Sequence, residues 1–183
     1  MTRALVFGGA RSGKSAYAEQ LAAASGKEVV YIATAAAGDA EMAERIAHHR
    51  AQRPAHWRTV EEPMALAAVL AAWRAPQRLV LVDCLTLWLS NLMFSDGTQY
   101  PEVGSIDLPA RFHQERTALL SELTVDRGDV VLVSNEVGMG IIPWGAISRS
   151  YVDEAGRLNQ AVAATCDRVA FVAAGLPLVL KGA

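Results

Sequence analysis

Lysine is scarce in this chain: only Lys14, Lys27 and Lys181 occur among 183 residues, while arginine is several times commoner. The arginines are scattered and the formal net charge is −2, so the totals carry no electrostatic footprint for nucleic acid. Cysteine is nearly absent too. Cys84 and Cys166 stand far apart, form no CxxC pair and have no metal-ligand spacing, which excludes a disulfide framework and a zinc cage. They read as core thiols of a reducing cytosol. Long apolar runs are missing. The longest, LVLVDCLTLWL and VAFVAAGLPLVL, fall well short of the ~20 residues a membrane helix needs. The opening MTRALVFGG turns into a glycine loop after one strand's length, which predicts no secretory h-region. The expectation is a soluble, cytoplasmic protein without a membrane span.

What is present is apolar and regularly punctuated. Hydrophobic residues make up 52% of the chain, too many for disorder. Short solid runs of Val, Leu, Ile and Phe alternate with longer amphipathic stretches. Strands are predicted at 3–7, 28–34, 78–83 and 129–134, and two more close the chain across Gly175. Helices are predicted at 14–25, 39–52, 63–73, 85–94, 109–125 and 148–165. The segment 95–109, rich in Gly, Pro and polar residues, reads as a surface loop, as does NEVGMGIIPWG. Strands without polar alternation are buried on both faces, so the fold class is α/β: a mainly parallel sheet with helices on both sides. The last two strands are too close for a crossover helix, so one of them is antiparallel. There is no internal repeat, and residues 1–183 read as a single nucleotide-binding domain.

Gly8, Gly9, Ala10, Arg11, Ser12, Gly13, Lys14 and Ser15 spell G-x-x-x-x-G-K-[ST] in full. A chance match in a chain of this composition is about two in a thousand, and the motif also follows the first strand and opens the first helix. The glycines let backbone N–H groups turn inward around phosphate oxygens, and the helix N-terminus adds partial positive charge. Lys14 reaches the outer phosphates, and the Ser15 hydroxyl ligates Mg²⁺. A P-loop needs a second Mg²⁺-directed acid at the end of a neighbouring strand, and Asp83 closes RLVLVD in that role. Glu136, past DVVLVS, is a further acid that reads either as a base or as a loop cap.

The motif does not name the reaction. The N-K-x-D base-reading motif of GTPase switches is missing, and DEAG at 153–156 falls inside a helical run. Three readings stay open on these residues: a small-molecule kinase, a kinase with added nucleotidyl transfer, and a RecA-like nucleotide-driven binding module. Three of the four histidines, His48, His49 and His56, lie within nine residues. On a helix His49 shares a stripe with Met42, Ala43 and Ile46, while His48 falls with Glu41, Glu44 and Arg45 on the polar side. No i, i+4 pair exists, so the cluster is not a metal signature. A neutral imidazole is a nucleophile near pH 7, able to displace pyrophosphate from a nucleotide's α-phosphate and carry the nucleotide covalently.

These stretches together resemble a known family. GGARSGKSAYAE at 8–19, YIAT at 31–34, DAEMAERIAHHRAQRPAHWRTVE at 39–61, LVSNEVGMGIIP at 132–143 and GRLNQAVAATCDRV at 156–169 are similar to the bifunctional adenosylcobinamide kinase/adenosylcobinamide-phosphate guanylyltransferases of cobalamin biosynthesis. The resemblance spans essentially the whole chain. It implies a P-loop NTPase with a RecA-like core and two reactions. ATP or GTP phosphorylates the hydroxyl on the aminopropanol arm of adenosylcobinamide. GTP then guanylylates a histidine, and GMP passes to adenosylcobinamide phosphate to give adenosylcobinamide-GDP. Alignment to the family motif makes His48 the guanylylated residue, with His49 the competitor. By the same similarity Ala33, Thr34, Ala35, His49, Arg50, Ala51, Gln52 and Glu61 or Glu62 line the guanine nucleotide site, and a homotrimer is implied. His56 is expected to be a hydrogen-bonded structural histidine packed near Trp57. Trp144 and the VGMGIIP loop either face the corrinoid or pack within the loop.

Overall fold

A computed structural model describes residues 1–35, 54–95 and 97–182. Its centre is one seven-stranded sheet in the order β3-β2-β4-β5-β1-β6-β7. The strands are β1 (Arg3–Gly8), β2 (Glu28–Ala33), β3 (Arg58–Glu61), β4 (Arg78–Asp83), β5 (Asp129–Asn135), β6 (Arg168–Ala173) and β7 (Leu176–Lys181). All neighbours run parallel except β6 and β7, which are antiparallel. The tight β6–β7 turn puts Ala174 at φ 51° and Gly175 at φ 78°, the paired left-handed residues that suit the twist of a two-residue hairpin.

The helices among the described residues are α1 (Lys14–Ala24), α2 (Leu66–Trp73), α3 (Leu85–Met93), α4 (Ala110–Thr124) and α5 (Ala146–Thr165). Successive strand side chains point to opposite faces, and each face has its own core. Leu5, Val30, Ile32, Val80, Val82, Val130 and Leu132 meet α2, α3, α4 and α5 on one side, where Trp88 and Phe112 are wholly buried. Ala4, Val6, Val29, Tyr31, Leu81, Val131 and Val133 meet Ala18 and Ala22 of α1 and Trp57 on the other. Both faces being covered is the reason the strands are solidly apolar. No helix among the described residues is long and apolar enough to cross a membrane.

One strand departs from the expectation. Arg58–Glu61 (RTVE) pairs in parallel with β2 through Tyr31↔Thr59 and Ile32↔Val60. It is four residues long, at the sheet edge and no more than half buried, so it never needed the apolar run that marks its neighbours. The helix predicted from 148 begins at Ala146, and that predicted from 63 begins at Leu66. The helix predicted over 39–52 lies outside the described residues.

The C-terminus of α2 is held by a buried cation. The Arg74 guanidinium donates to the backbone oxygens of Glu122 (2.8 Å), Val125 (3.0 Å) and Gly128 (3.2 Å), and to Glu122 Oε1 at 3.2 Å. Its side chain is fully buried, so these partners replace the water lost by the two terminal nitrogens, while Nε has no partner among the described residues. Arg74→Ala leaves three carbonyls and a carboxylate facing an empty site. The expected loss is about 3 kcal/mol of stability, read from urea denaturation. A loss under about 0.5 kcal/mol, the level of an ordinary surface substitution, would show that water takes over the role.

Candidate active site

The chain between β1 and α1 forms the cradle the motif predicts. Arg11 sits at φ 54° and Gly13 at φ 93°, left-handed conformations that bend the backbone into a concavity of N–H groups ahead of α1. Gly13 is the residue on which α1 begins. A Cβ there would stand 2.9 Å from Gly175 Cα, because the β6–β7 turn packs beneath the loop and the Gly175 N–H donates to the Ser12 carbonyl at 2.8 Å. Lys14 is 9% exposed, and its ammonium donates to the Gly9 carbonyl at 3.2 Å. The cation is therefore folded back over its own loop. Ser12 Oγ is buried with no hydrogen-bond partner among the described residues. Ser15, in the first turn of α1, is half-buried, while Ala10 and Arg11 are exposed on the rim.

Asp83 is the last residue of β4, at the same end of the sheet. It is not on the strand beside β1, as expected, because β5 lies between β1 and β4. The register keeps the two level across the intervening strand, since Val133 of β5 is paired with Asp83 on one side and with Val6 on the other. The Tyr31 hydroxyl, from β2, donates to Asp83 Oδ2 at 3.0 Å and fixes the carboxylate's orientation. The peptide bond between Asp83 and Cys84 is cis. Burial pushes the Cys84 thiol up, and the neighbouring Asp83 charge adds to this, so the thiol stays protonated and is no nucleophile.

Side chains lace the strand ends together behind Asp83. Thr34 Oγ1 donates to the Cys84 carbonyl at 2.7 Å and accepts from the Cys84 N–H at 2.8 Å. Asn91 Nδ2 donates to the Thr34 carbonyl at 2.8 Å, and Asn135 Nδ2 to Thr86 Oγ1 at 2.6 Å. Thr34, placed by similarity among the nucleotide-lining residues, is wholly buried, and its hydroxyl is committed to this lacing. Ala33 is also buried and Ala35 half-buried. Thr86, Asn91 and Asn135 were not singled out from the sequence. Their signal was there: a polar residue closing an apolar strand, or one set into the apolar helix that follows.

The remaining candidates separate. Glu61 ends β3 and is exposed. Glu62 Oε1 accepts the N–H groups of Met64 (2.8 Å) and Ala65 (2.7 Å) ahead of α2, so its carboxylate supports a helix entry. Glu136 resolves as a loop cap: its Oε1 accepts the Gly138 N–H at 2.6 Å, and its own N–H donates to the Gly8 carbonyl at 2.9 Å. His56 is exposed rather than packed. The turn closed by the Trp57 N–H on the Pro54 carbonyl sends the indole inward and leaves the imidazole outside. Trp144 is 89% exposed, which rules out packing within its loop. His48, His49, Arg50, Ala51 and Gln52 lie outside the described residues.

A glycine cradle on β1, a lysine at the start of α1 and an acid ending a strand two places away define a P-loop nucleoside-triphosphate fold of RecA-like type. The architecture is similar to that of an ATPase from a type III secretion system of pathogenic bacteria, with TM-score 0.56 and 13% identity, covering 97% of this chain and 56% of that one. A Pyrococcus horikoshii OT3 protein, PH0250, gives TM-score 0.52 at 8% identity, over 99% of this chain and 86% of that one. At such identities the likeness concerns the fold alone.

The sequence itself goes further. Residues 4–180 match the family described as cobinamide kinase / cobinamide phosphate guanyltransferase, and the chain belongs to that family. It is 57% identical over 180 residues to the bifunctional adenosylcobalamin biosynthesis protein CobP of Pseudomonas aeruginosa, covering 98% of both chains. It is 42% identical to the corresponding protein CobU of Escherichia coli K12, over 97% of this chain and 98% of that one.

Proposed function

We propose that this enzyme phosphorylates the aminopropanol hydroxyl of adenosylcobinamide with ATP or GTP, and then transfers GMP from GTP to the resulting phosphate through a guanylyl group on His48. The observation that carries it is the cradle, with Lys14 over Gly9 and Asp83 held by Tyr31, in a chain of the cobinamide kinase family. In the kinase step the acceptor hydroxyl oxygen bonds to the γ-phosphorus as the bond from that phosphorus to the β–γ bridging oxygen breaks, so the nucleoside diphosphate leaves and the hydroxyl proton passes to solvent. Lys14 leaves the Gly9 carbonyl for the phosphate oxygens, and the buried Ser12 hydroxyl gains the partner it lacks. The site's donors suit a hard cation: the Ser15 hydroxyl and the Asp83 carboxylate would hold Mg²⁺, which neutralises phosphate charge when bound. In the second reaction a His48 nitrogen bonds to the α-phosphorus and the bridging bond to the β-phosphate breaks, releasing pyrophosphate. A phosphate oxygen of adenosylcobinamide phosphate then bonds to that phosphorus, and the P–N bond breaks to regenerate the imidazole.

Attack at the γ- and α-phosphorus cannot both be in line for one nucleotide pose. The reading therefore requires either movement of the segment carrying His48 or two nucleotide poses, and pyrophosphate release needs no corrinoid. A homo-oligomer, three copies by resemblance, is part of the proposal. It is supported by β7, an edge strand whose Leu176, Leu178, Val179 and Leu180 are all exposed.

The test is incubation with Mg²⁺ and GTP labelled at the α-phosphate, followed by denaturation. The expected result is protein-bound label that is acid-labile and alkali-stable, lost in His48→Ala and kept in His56→Ala. Bound nucleotide without label would leave a plain kinase or a nucleotide-driven binding module. A second expectation concerns Tyr31. Tyr31→Phe frees the Asp83 carboxylate to rotate while keeping the ring in the core, so the Mg²⁺ concentration for half-maximal rate rises by roughly tenfold. An unchanged Mg²⁺ titration would mean that the hydroxyl has no part in orienting the acid.

A further inference from the structure

Beyond β5 the chain exposes an unusual amount of apolar surface. Met139 is 78% exposed, Ile141 98%, Ile142 80% and Trp144 89%. Single exposed apolar residues are ordinary, but four within six positions form a patch, and patches of this kind mark interaction sites. The segment is also tethered. Glu136 Oε1 holds the Gly138 N–H at its start. The Arg149 guanidinium donates to the carbonyls of Pro143 (3.2 Å) and Trp144 near its end. The Ala146 N–H donates to the Glu102 carbonyl at 2.9 Å, which brings the 97–109 loop and its exposed Val103 alongside. The backbone is tied at both ends while the side chains point to water.

The patch is joined to the phosphate cradle. Glu136 continues directly from β5, and its N–H donates to the carbonyl of Gly8, the first residue of the cradle. The loop that carries the patch therefore starts at the edge of the cradle.

We propose that the loop Val137–Trp144, with Val103 beside it, is the platform on which the acceptor's macrocycle rests, and that it sets acceptor specificity. This rests on the kinase reading above. That reading requires a cobinamide: a broad ring system with extensive apolar faces whose reactive hydroxyl sits at the tip of a flexible arm. Only the arm can enter a cradle lined by glycine backbone and one lysine. The ring stays outside it and needs an apolar surface within an arm's length, which Ile141, Ile142 and Trp144 supply. A tryptophan held by its own backbone offers a flat face at low entropic cost. A second copy of this chain finds a better partner in β7, which offers an open strand edge.

The test compares the wild type, Trp144→Ala, Trp144→Phe and the double variant Ile141→Ser with Ile142→Ser. Equilibrium dialysis against cobinamide, followed by its visible absorbance, gives acceptor affinity. GTP titration and light scattering are run on the same samples. Trp144→Ala and the double variant are expected to weaken cobinamide binding at least tenfold. The acceptor KM rises in step, kcat at saturation changes little, and Trp144→Phe recovers most of the affinity. Unchanged cobinamide affinity in both damaging variants would overturn the platform. So would a fall in molar mass that accompanies the loss, since the patch would then be covered by a second copy. A wild type that binds GTP but no cobinamide would overturn the kinase reading, and the platform with it.

Discussion

Lys14→Ala is expected to lower the rate of phosphoryl transfer by about a thousandfold or more while leaving the protein folded. Donors aimed at charge that develops in the transition state contribute on this scale. Lys14 is the chain's sole lysine near the site, since Lys27 pairs with Asp129 at 2.8 Å and Lys181 caps carbonyls of α5. The same substitution is not expected to destabilise the fold. Lys14 is nearly buried, and its ammonium donates to the neutral Gly9 carbonyl, so the cation is poorly compensated before nucleotide arrives. The melting temperature of Lys14→Ala without nucleotide should equal or exceed that of the wild type. The stabilisation that GTP gives the wild type should disappear. Lys14→Arg should not rescue activity, because a planar five-donor fork cannot fold back over Gly9 as a single ammonium does. Activity within tenfold of wild type in Lys14→Ala would remove this residue from the chemistry.

Gly8→Ala is expected to damage stability as severely as Lys14→Ala damages rate. A Cβ at Gly8 would lie 2.2 Å from the Val172 carbonyl oxygen and 2.8 Å from Ser12 Oγ. The serine can rotate away. The carbonyl cannot, because Val172 is fixed within β6, which pairs with both β1 and β7. Relief requires β1 and β6 to part where the cradle begins. Overpacking of this kind costs about 3 kcal/mol or more, which in a domain of this size is a fall of roughly 6–12 °C in melting temperature. Gly9→Ala is the control, since a Cβ at Gly9 has nothing within 4 Å. Its melting temperature should stay within a degree or two of wild type. Equal losses in the two variants would mean that loop flexibility, and not the contact with β6, is what the glycines provide.

How far the sequence could be read follows from what each segment touches. The strands 3–7, 78–83 and 129–134 were legible because burial on both faces demands unbroken apolar runs, and β3 was not because an edge position does not. The cradle was legible because its backbone angles restrict residue type: Gly13 at φ 93° admits little else. Asp83 was legible as an acid ending an apolar run. Its support was not, because Tyr31 is 52 residues away and reads from the sequence as one more apolar strand residue. The same applies to Thr34 and Cys84, which meet only when β2 and β4 are side by side. Glu62 and Glu136 look like site acids in the sequence, and only their backbone partners show them as caps. His56 and Trp57 are adjacent and equally plausible as interior residues. Which one turns inward is decided by the Pro54–Trp57 turn, and no pattern in the sequence reports that.

The position of β1 has a consequence for how the molecule is made. β1 precedes the other described strands in the chain, yet its neighbours in the sheet are β5 and β6, formed by residues 129–135 and 168–173. During synthesis β1 has no partner strand until residues 129–135 have emerged, and the turn that supports the cradle, through Gly175 and Ser12, follows later still. Pairings this distant make folding slow and leave apolar strand edges open in the meantime. The cradle is thus begun by one segment of the chain and completed by another that is synthesised far behind it. A nascent chain stalled before residue 168 should display β1 unpaired on one side and bind no nucleotide.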